Sequence, residues 1–413
     1  MEKIILGGKK TPKLDPTALH GLAGDVCNYL SDKSEATSVA ILAQFLTLFG
    51  NCIGRSAHFQ IEADLHYAKL FTIIVGKSAK ARKGVSLGQA KRLFSLAQPD
   101  WIKTCVVSGL SSGEGLIHRL SDNSSIEDPF VTINPKDKRL LVEESEFASV
   151  LRQTQRQGNT LSVFIRKAWD SDTLQVLTRD PVVASDSHVS IIGHITGDEL
   201  VNLMNATEMA NGFANRMMWI YSERQKLLPL GVELDQEFLN FHADLLSKSI
   251  SFVQKVGRVS RDDDANKLWV QIYEELAVEK YGLLGSLLSR GEPYIMRLAM
   301  IYALLDQSAY IRRAHLAAAY SLWKYAEETC EYIFSNKMGF PDADTIYTGL
   351  LNAPEGLSRT QIAHNLFQKN RNKEELDRAL NFLRDRKLIE ESHVKTDGRN
   401  KEVWRCTKIL ITT

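Results

Sequence analysis

The sequence predicts an α/β fold: a mostly parallel sheet covered by helices, with a helical lid and a small terminal domain of three helices and a hairpin. Three observations predict it. Strand and helix patterns alternate from about 57 to 222. Several of those strands are too apolar for a sheet with one wet face, as strands buried between helix layers are. Residues 343 to 410 change pattern, to helices followed by two strands around a polar turn. A chain of 413 residues with 44% apolar content buries a substantial core and divides into two or three domains.

In order, residues 1–56 carry Leu19, Leu22, Val26, Leu30 and then Val39, Leu42, Phe45, Leu46, Phe49 at helical spacing, which predicts two amphipathic packing helices. The core, 57–256, has strands expected at 58–62, 70–75, 104–107, 139–142, 189–195 and 217–222. Residues 257–338 read as almost continuously helical, with Leu268, Ile272, Leu276, Ile295, Leu298, Ile301 and Leu305 in phase. Gly339-Phe340-Pro341-Asp342 marks a boundary before the terminal domain, 343–413.

Composition narrows the class. The formal charge is +1, so affinity for nucleic acid must come from local patches. The five cysteines are scattered without a close pair, which argues against a zinc site or disulfide framework. The stretch Met1 to Lys13 is basic and short of apolar length, and no run approaches the roughly 18 apolar residues of a membrane span. A cytoplasmic protein without a membrane partner is expected. No internal repeat or low-complexity tract is present.

The most informative segment runs from Leu70 to Ser86, where an apolar strand empties into the small, basic loop Gly76-Lys77-Ser78-Ala79-Lys80-Ala81-Arg82-Lys83-Gly84 and then a helical pattern. Such a loop cradles a polyphosphate with backbone N–H groups and the positive end of the helix, while a lysine neutralises charge and a hydroxyl reaches Mg²⁺. Standard spacing would put Ala81 at the second glycine, so the loop is read one residue longer. Gly76, Arg82, Lys83 and Gly84 then become the nucleotide-binding candidates, with Lys83 the phosphate lysine and Ser86 the metal-reaching hydroxyl. Downstream, Arg139-Leu140-Leu141-Val142-Glu143-Glu144 ends in paired carboxylates, the pattern of a Walker B strand. Glu143 would hold the Mg²⁺ shell and Glu144 would polarise the attacking water. A solvated acidic turn is the competing account.

These blocks, with Ser111-Ser112-Gly113-Glu114-Gly115-Leu116-Ile117, Gly193-His194-Ile195-Thr196, Asn211-Gly212-Phe213-Ala214-Asn215-Arg216 and Arg297 to Asp306, resemble a largely uncharacterised family of RecA-like or AAA-like ATPase domains. That family occurs in phages, plasmids and integrated elements, often beside a primase-polymerase. The resemblance covers most of residues 18 to 335. It implies a P-loop NTPase core of replicative-helicase type working as a ring on ATP and Mg²⁺, with any primase partner separate.

Further roles follow as expectations. His194 or Thr196, ending an apolar strand, stands where a motor places a polar sensor between Walker B and the terminal phosphate. Arg216 could reach a neighbouring subunit's nucleotide as an arginine finger; a structural ion pair, perhaps with Glu208 or Glu223, competes. Arg290 and Arg297 resemble the arginine a lid lowers onto nucleotide, against a buried Arg–Glu pair. Glu114 reads first as part of a helix cap and second as a catalytic carboxylate. Arg152, Arg156 and Lys167 fall where ring motors carry pore loops that track a phosphate backbone.

The terminal domain resembles a winged helix-turn-helix, with helices at 344–351, from about 358, and 373–387, and strands at 388–395 and 401–406. Arg371, Lys373, Arg378, Lys395, Arg399 and Lys401 are then candidate DNA contacts. From 345 onward Lys and Arg number 13 against 9 Asp and Glu, a surplus of 4. The expected function is an ATP-dependent DNA helicase or translocase for a mobile element. A DNA-binding or scaffold protein with a degenerate, slow ATPase site is the alternative, including a defence ATPase with a nuclease partner.

Overall fold

The structure, a computed structural model, describes residues 10–77, 82–122, 137–177, 181–204, 208–209, 211–278, 282–334, 341–385, 387–394 and 401–407. The chain divides into two units, Met1–Ile333 and Phe334–Thr413. The first and last helical stretches before 333 therefore belong to the same unit as the sheet.

The first unit opens with helices α1 (Gly21–Asp32) and α2 (Ser38–Cys52), then strands β1 (Ala57–Ile61), β2 (Asp64–Tyr67) and β3 (Phe71–Gly76). Next come α3 (Lys83–Ala97), α4 (Pro99–Cys105), β4 (Val106–Val107), α5 (Gly113–Leu120), β5 (Arg139–Glu144), α6 (Phe147–Thr154) and α7 (Leu161–Asp170). A hairpin, β6 (Leu174–Val176) and β7 (Val182–Ala184), precedes β8 (His188–Thr196), α8 (Gly197–Leu203) and β9 (Met218–Ser222). Beyond lie helix Gln236–Val253, β10 (Gly257–Arg261), helices Asp263–Leu276, Gly282–Leu288 and Gly291–Leu305, β11 (Tyr310–Ile311) and helix Arg313–Phe334.

The central sheet has five strands in the order β4-β5-β8-β3-β9, every neighbouring pair parallel. All six residues of β3 are buried, as a continuous apolar run in a covered sheet should be. From β3 the chain crosses to the far edge at β4, steps back through β5 to β8, and passes over β3 to β9. The connections leaving β3 and β8 travel in opposite directions, so right-handed crossovers carry them to opposite faces. That makes the carboxyl ends of β3 and β8 a topological switch point, where open α/β sheets hold ligands.

Strand alternation identifies the faces. Thr72 and His194 hydrogen-bond Thr47 and Gln44 of α2, at 2.7 and 2.9 Å. On the other face the Phe71 ring meets Trp169 of α7, centroids 5.2 Å apart, and a Cβ on Gly193 would stand 2.7 Å from the Phe147 ring of α6. The expected amphipathicity of α2 is not observed, because sheet, helices and the approach to β3 enclose it: every residue from Val39 to Cys52 is buried. Its polar residues instead form a seam. Thr47 joins Thr72, and Asn51 donates to the carbonyls of Leu140 and His188 at 3.0 and 3.2 Å.

Other expectations are corrected. The strand read at 58–62 joins a second, mixed sheet, β11-β10-β1-β2, in keeping with the one-sided alternation of its burial. Residues 104 and 105 close a helix instead of opening a strand. The stretch from 257 starts as a strand because Gly257, at φ 65°, breaks the preceding helix and Val259 then pairs beside Phe59.

The second unit holds helix Pro341–Leu351, β12 (Leu357–Ser358), helix Lys373–Asp385, β13 (Ile389–Val394) and β14 (Lys401–Cys406). Its sheet is antiparallel in the order β12-β14-β13, over a core that includes Ile346, Ile362, Leu380, Leu383 and Trp404. The expected regular second helix is shorter: Ser358 and Gln361 form a capping box, and a π turn over Ile362–Leu366 follows. Gln368 and Lys369, both at positive φ, end it.

Candidate functional site

β3 ends at Gly76, paired with Thr196 on one side and Ser222 on the other. Residues 78–81 of the basic loop lie outside the described residues. Arg82 stands in the left-handed region at φ 56°, a strained conformation for a side chain of this kind, and its side chain does not cap α3, which starts at Lys83. A 15-residue helix thus presents its positive end at the carboxyl end of β3. Gly84 is exposed, and a Cβ added there would touch nothing within 4 Å. Lys83 is half-buried; desolvation lowers its pKa, opposed by the carboxylate of Glu199 in α8.

Two residues read from the loop are committed elsewhere. Arg82 Nε donates to Glu35, which also accepts from the amide of Leu228 at 2.8 Å and lies 3.6 Å from Arg224. Ser86 is fully buried; its hydroxyl donates to the Lys83 carbonyl at 2.6 Å and accepts from Gln44 Nε2 at 2.7 Å. That hydroxyl faces α2 and does not reach outward as a metal ligand would.

Gln44 joins the two central features. Its Nε2 also donates to Ala40 O at 2.7 Å, which fixes the amide orientation and leaves Oε1 as acceptor from His194 Nε2 at 2.9 Å. His194 therefore carries its proton on Nε2 and keeps Nδ1 as an acceptor. Burial, then the nearby Lys83 charge, pushes its pKa down to about 4, so the ring is neutral at pH 7. Sequence reasoning missed Gln44. The signal was a polar residue followed at helical spacing by Thr47 and Asn51 in an otherwise apolar helix.

The paired carboxylates of β5 diverge, as adjacent strand residues must. Glu143 turns toward α3, where Lys91 Nζ reaches its Oε2 at 2.9 Å, and its Oε1 is buried without a partner. Glu144, on the other side, accepts from the amides of Gly109 (2.8 Å) and Leu110 through Oε1, tying the end of β5 to the loop after β4. Thr196 accepts from Glu199 N in a capping box that starts α8. Of the two sensor candidates, His194 is bonded to α2 and Thr196 is committed to the start of α8.

The arginines fall at the opposite end. Arg216 precedes β9, is buried, and binds Asp170 through Nε at 3.1 Å and the carbonyl of Gly212. The expected partners Glu208 and Glu223 are replaced by Asp170, which Arg290 also approaches at 3.3 Å. Arg297 donates to the carbonyls of Lys69 and Trp169 just ahead of β3. The length of β3, about 17 Å at the usual rise, lies between this contact and Gly76. Within one chain neither arginine meets the α3 end.

Ser112 caps α5, accepting from Gly115 N at 3.0 Å, and Glu114 accepts from the Thr160 hydroxyl at 2.8 Å. Arg152 and Arg156 are exposed near the α6–α7 turn, Arg152 lying 3.9 Å from Glu199. Lys167 is exposed nearly two turns along α7, its Nζ over the Phe164 ring. In the second unit Lys373 and Arg378 are exposed on one helix, while Arg371 pairs with Asp342 at 3.0 Å. Lys395 and Arg399 lie outside the described residues, as does the side chain of Lys401.

Among the described residues, His20, Asp306 and His315 form a cluster with metal-ligand chemistry. His315 Nδ1 accepts from Arg312 N at 3.0 Å, so its Nε2 carries the proton it gives to Asp306 at 3.2 Å. With His20 on the same carboxylate oxygen at 2.8 Å, the cluster is a hydrogen-bonded clasp that holds Asp306 ionised.

No protein-family model matches the chain, and no curated protein sequence is similar to it. No helix among the described residues is long and apolar enough to cross a membrane.

Proposed function

We propose that the first unit binds and hydrolyses ATP at the carboxyl ends of β3, β8 and β5. The observation that carries this reading is the strand order. β8, which carries the neutral His194 two residues before its end, lies between β3, which leads into the basic loop, and β5, which ends in Glu143 and Glu144. In this reading Lys83 and the first amides of α3 hold the polyphosphate, and Gly84 leaves room for it. The unprotonated Nδ1 of His194 accepts a hydrogen bond from the attacking water, and Glu144 keeps the loop at 109–110 against the site. Glu143, with one buried oxygen unpartnered, suits Mg²⁺, which takes one or two carboxylates with phosphate oxygens and water. When bound, the ion neutralises charge on the phosphates; Ser86, committed to Gln44 and Lys83, is not among its ligands.

The wider reading is a DNA translocase or helicase assembled as a homo-oligomeric ring. Support comes from the second unit, whose two-helix-and-hairpin arrangement resembles a winged helix with Lys373 and Arg378 exposed on its long helix. A specific observation favours the slower, scaffold-like alternative: Arg82 and Ser86, two of the five loop candidates, are tied to Glu35 and Gln44.

Nucleotide binding and single-turnover ATP hydrolysis, with and without single-stranded DNA, test the proposal. Lys83→Ala should weaken binding at least about tenfold, and Glu143→Gln should bind nucleotide while losing Mg²⁺-dependent turnover. Unchanged binding in Lys83→Ala would refute the site. Tight binding with no hydrolysis by the wild type would favour the scaffold.

A further inference from the structure

At the amino end of the sheet, β2, the end of α7 and the start of helix Gly291–Leu305 surround an open cavity of about 630 Å³. Its buried wall is cationic. Arg297 is 5% exposed, and its guanidinium lies 3.9 Å from the centre of the Trp169 ring. Two of its nitrogens donate to backbone carbonyls, Nε has no partner, and no carboxylate is in salt-bridge contact with it among the described residues. Behind it Lys69, 2% exposed, donates to the carbonyls of Ala168 and Ser171 and has Asp172 at 3.6 Å. Arg297, buried and hydrogen-bonded only to neutral acceptors, is costly to hold until a counter-charge comes into contact with it.

The carboxylates around the cavity do not supply that charge. Asp170 is bound by Arg216 and Arg290, Asp172 by Arg55 at 2.8 Å, and Asp64 is on the exposed rim. Helix Gly291–Leu305 begins at the wall with Arg290 at its N-cap and Glu292 in its first turn; Arg290 and Pro293 line the cavity, and since Pro293 has no N–H it is the Arg290 guanidinium that this end adds to the space. His66, also lining it, has a buried Nδ1 without a partner.

We infer that this cavity binds the phosphate group of a small ligand, apart from the nucleotide proposed at the other end of the sheet. A phosphate suits it better than a carboxylate because two guanidiniums, those of Arg297 and Arg290, line it, and two forks use three or four oxygens where a carboxylate has two. The volume admits a molecule the size of a nucleoside monophosphate, with His66 left to hydrogen-bond its uncharged part.

The test uses the full chain carrying Lys83→Ala, so that phosphate bound at the α3 end does not contribute, and titrates inorganic phosphate and AMP calorimetrically. Both should bind. Adding Arg290→Ala, at a half-buried position, should weaken them about tenfold, and Arg290→Glu should abolish binding with an unchanged circular-dichroism spectrum. Arg297→Lys, which keeps the charge and loses Nε, should weaken both as well. Absence of binding in the Lys83→Ala chain, or affinities indifferent to Arg290→Glu, would overturn the inference. Binding of a 5′-phosphorylated oligonucleotide but not of AMP would overturn the small-ligand assignment.

Discussion

The two ends of the central sheet both bury polar groups, and they handle them differently. At the carboxyl end, Gln44 uses its amide to satisfy His194 and Ser86 together, leaving the histidine neutral. At the amino end, Arg297 buries its charge among backbone carbonyls, and beside it Lys69, whose pKa burial pushes down to about 7, rests on carbonyls and on Asp172. The first end leaves neutral or anionic groups open, the amides of α3 and one oxygen of Glu143, whereas the second buries a guanidinium with no carboxylate in contact. Side chains that look alike in sequence, such as Lys83 and Arg297, therefore belong to different sites, because a parallel strand sends its two ends to opposite edges of the sheet.

The comparison can be broken most forcefully at the amino end. A Cβ on Gly50 would lie 2.2 Å from the backbone oxygen of Ala68, so Gly50→Ala must push α2 away from the approach to β3. A loss of about 3 kcal/mol is expected, read by denaturant unfolding. An unchanged midpoint would mean that α2 is not seated where the seam requires.

Acid should act on the carboxyl end. His194 titrates at about 4 when folded against 6.5 when unfolded. Its depressed folded value means that its contribution is complete above pH 6.5 and is lost as pH falls toward 4, because the unfolded chain takes the proton first. Relative to wild type, His194→Gln should lose about 2 kcal/mol less stability between pH 7 and pH 5. Equal acid sensitivity in the two proteins would place His194 in water. His188, at the start of the same strand, is held down to about 3 by burial and should behave alike, so it serves as the amino-end counterpart.

The smallest effect sharpens the contrast between structure and chemistry. Gly84 has open space where a Cβ would go, so Gly84→Ala should change stability by less than about 0.5 kcal/mol. Nucleotide affinity should nevertheless fall if phosphates approach that backbone. Unaltered affinity would move the ligand away from the first turn of α3.

Composition and periodicity were enough to read an α/β core from the apolar runs at Phe71–Gly76, Arg139–Glu144 and His188–Thr196, since a strand covered on both faces leaves a continuous apolar signature. They also marked the basic loop and the small C-terminal unit, whose turn and cap residues act locally. Strand order, by contrast, was set by packing between segments 49 and 120 residues apart in sequence, which is how His194 came to lie between β3 and β5, and by a contact over 228 residues that took Arg297 to the far end of β3. Periodicity told that α2 is a helix but not that it is enclosed, because its polar seam is matched by Thr72, Leu140 and His194 from three strands. Local sequence determines which element forms, since that depends on neighbours along the chain. Which residues meet depends on the burial of whole faces, and only the tertiary structure decided that.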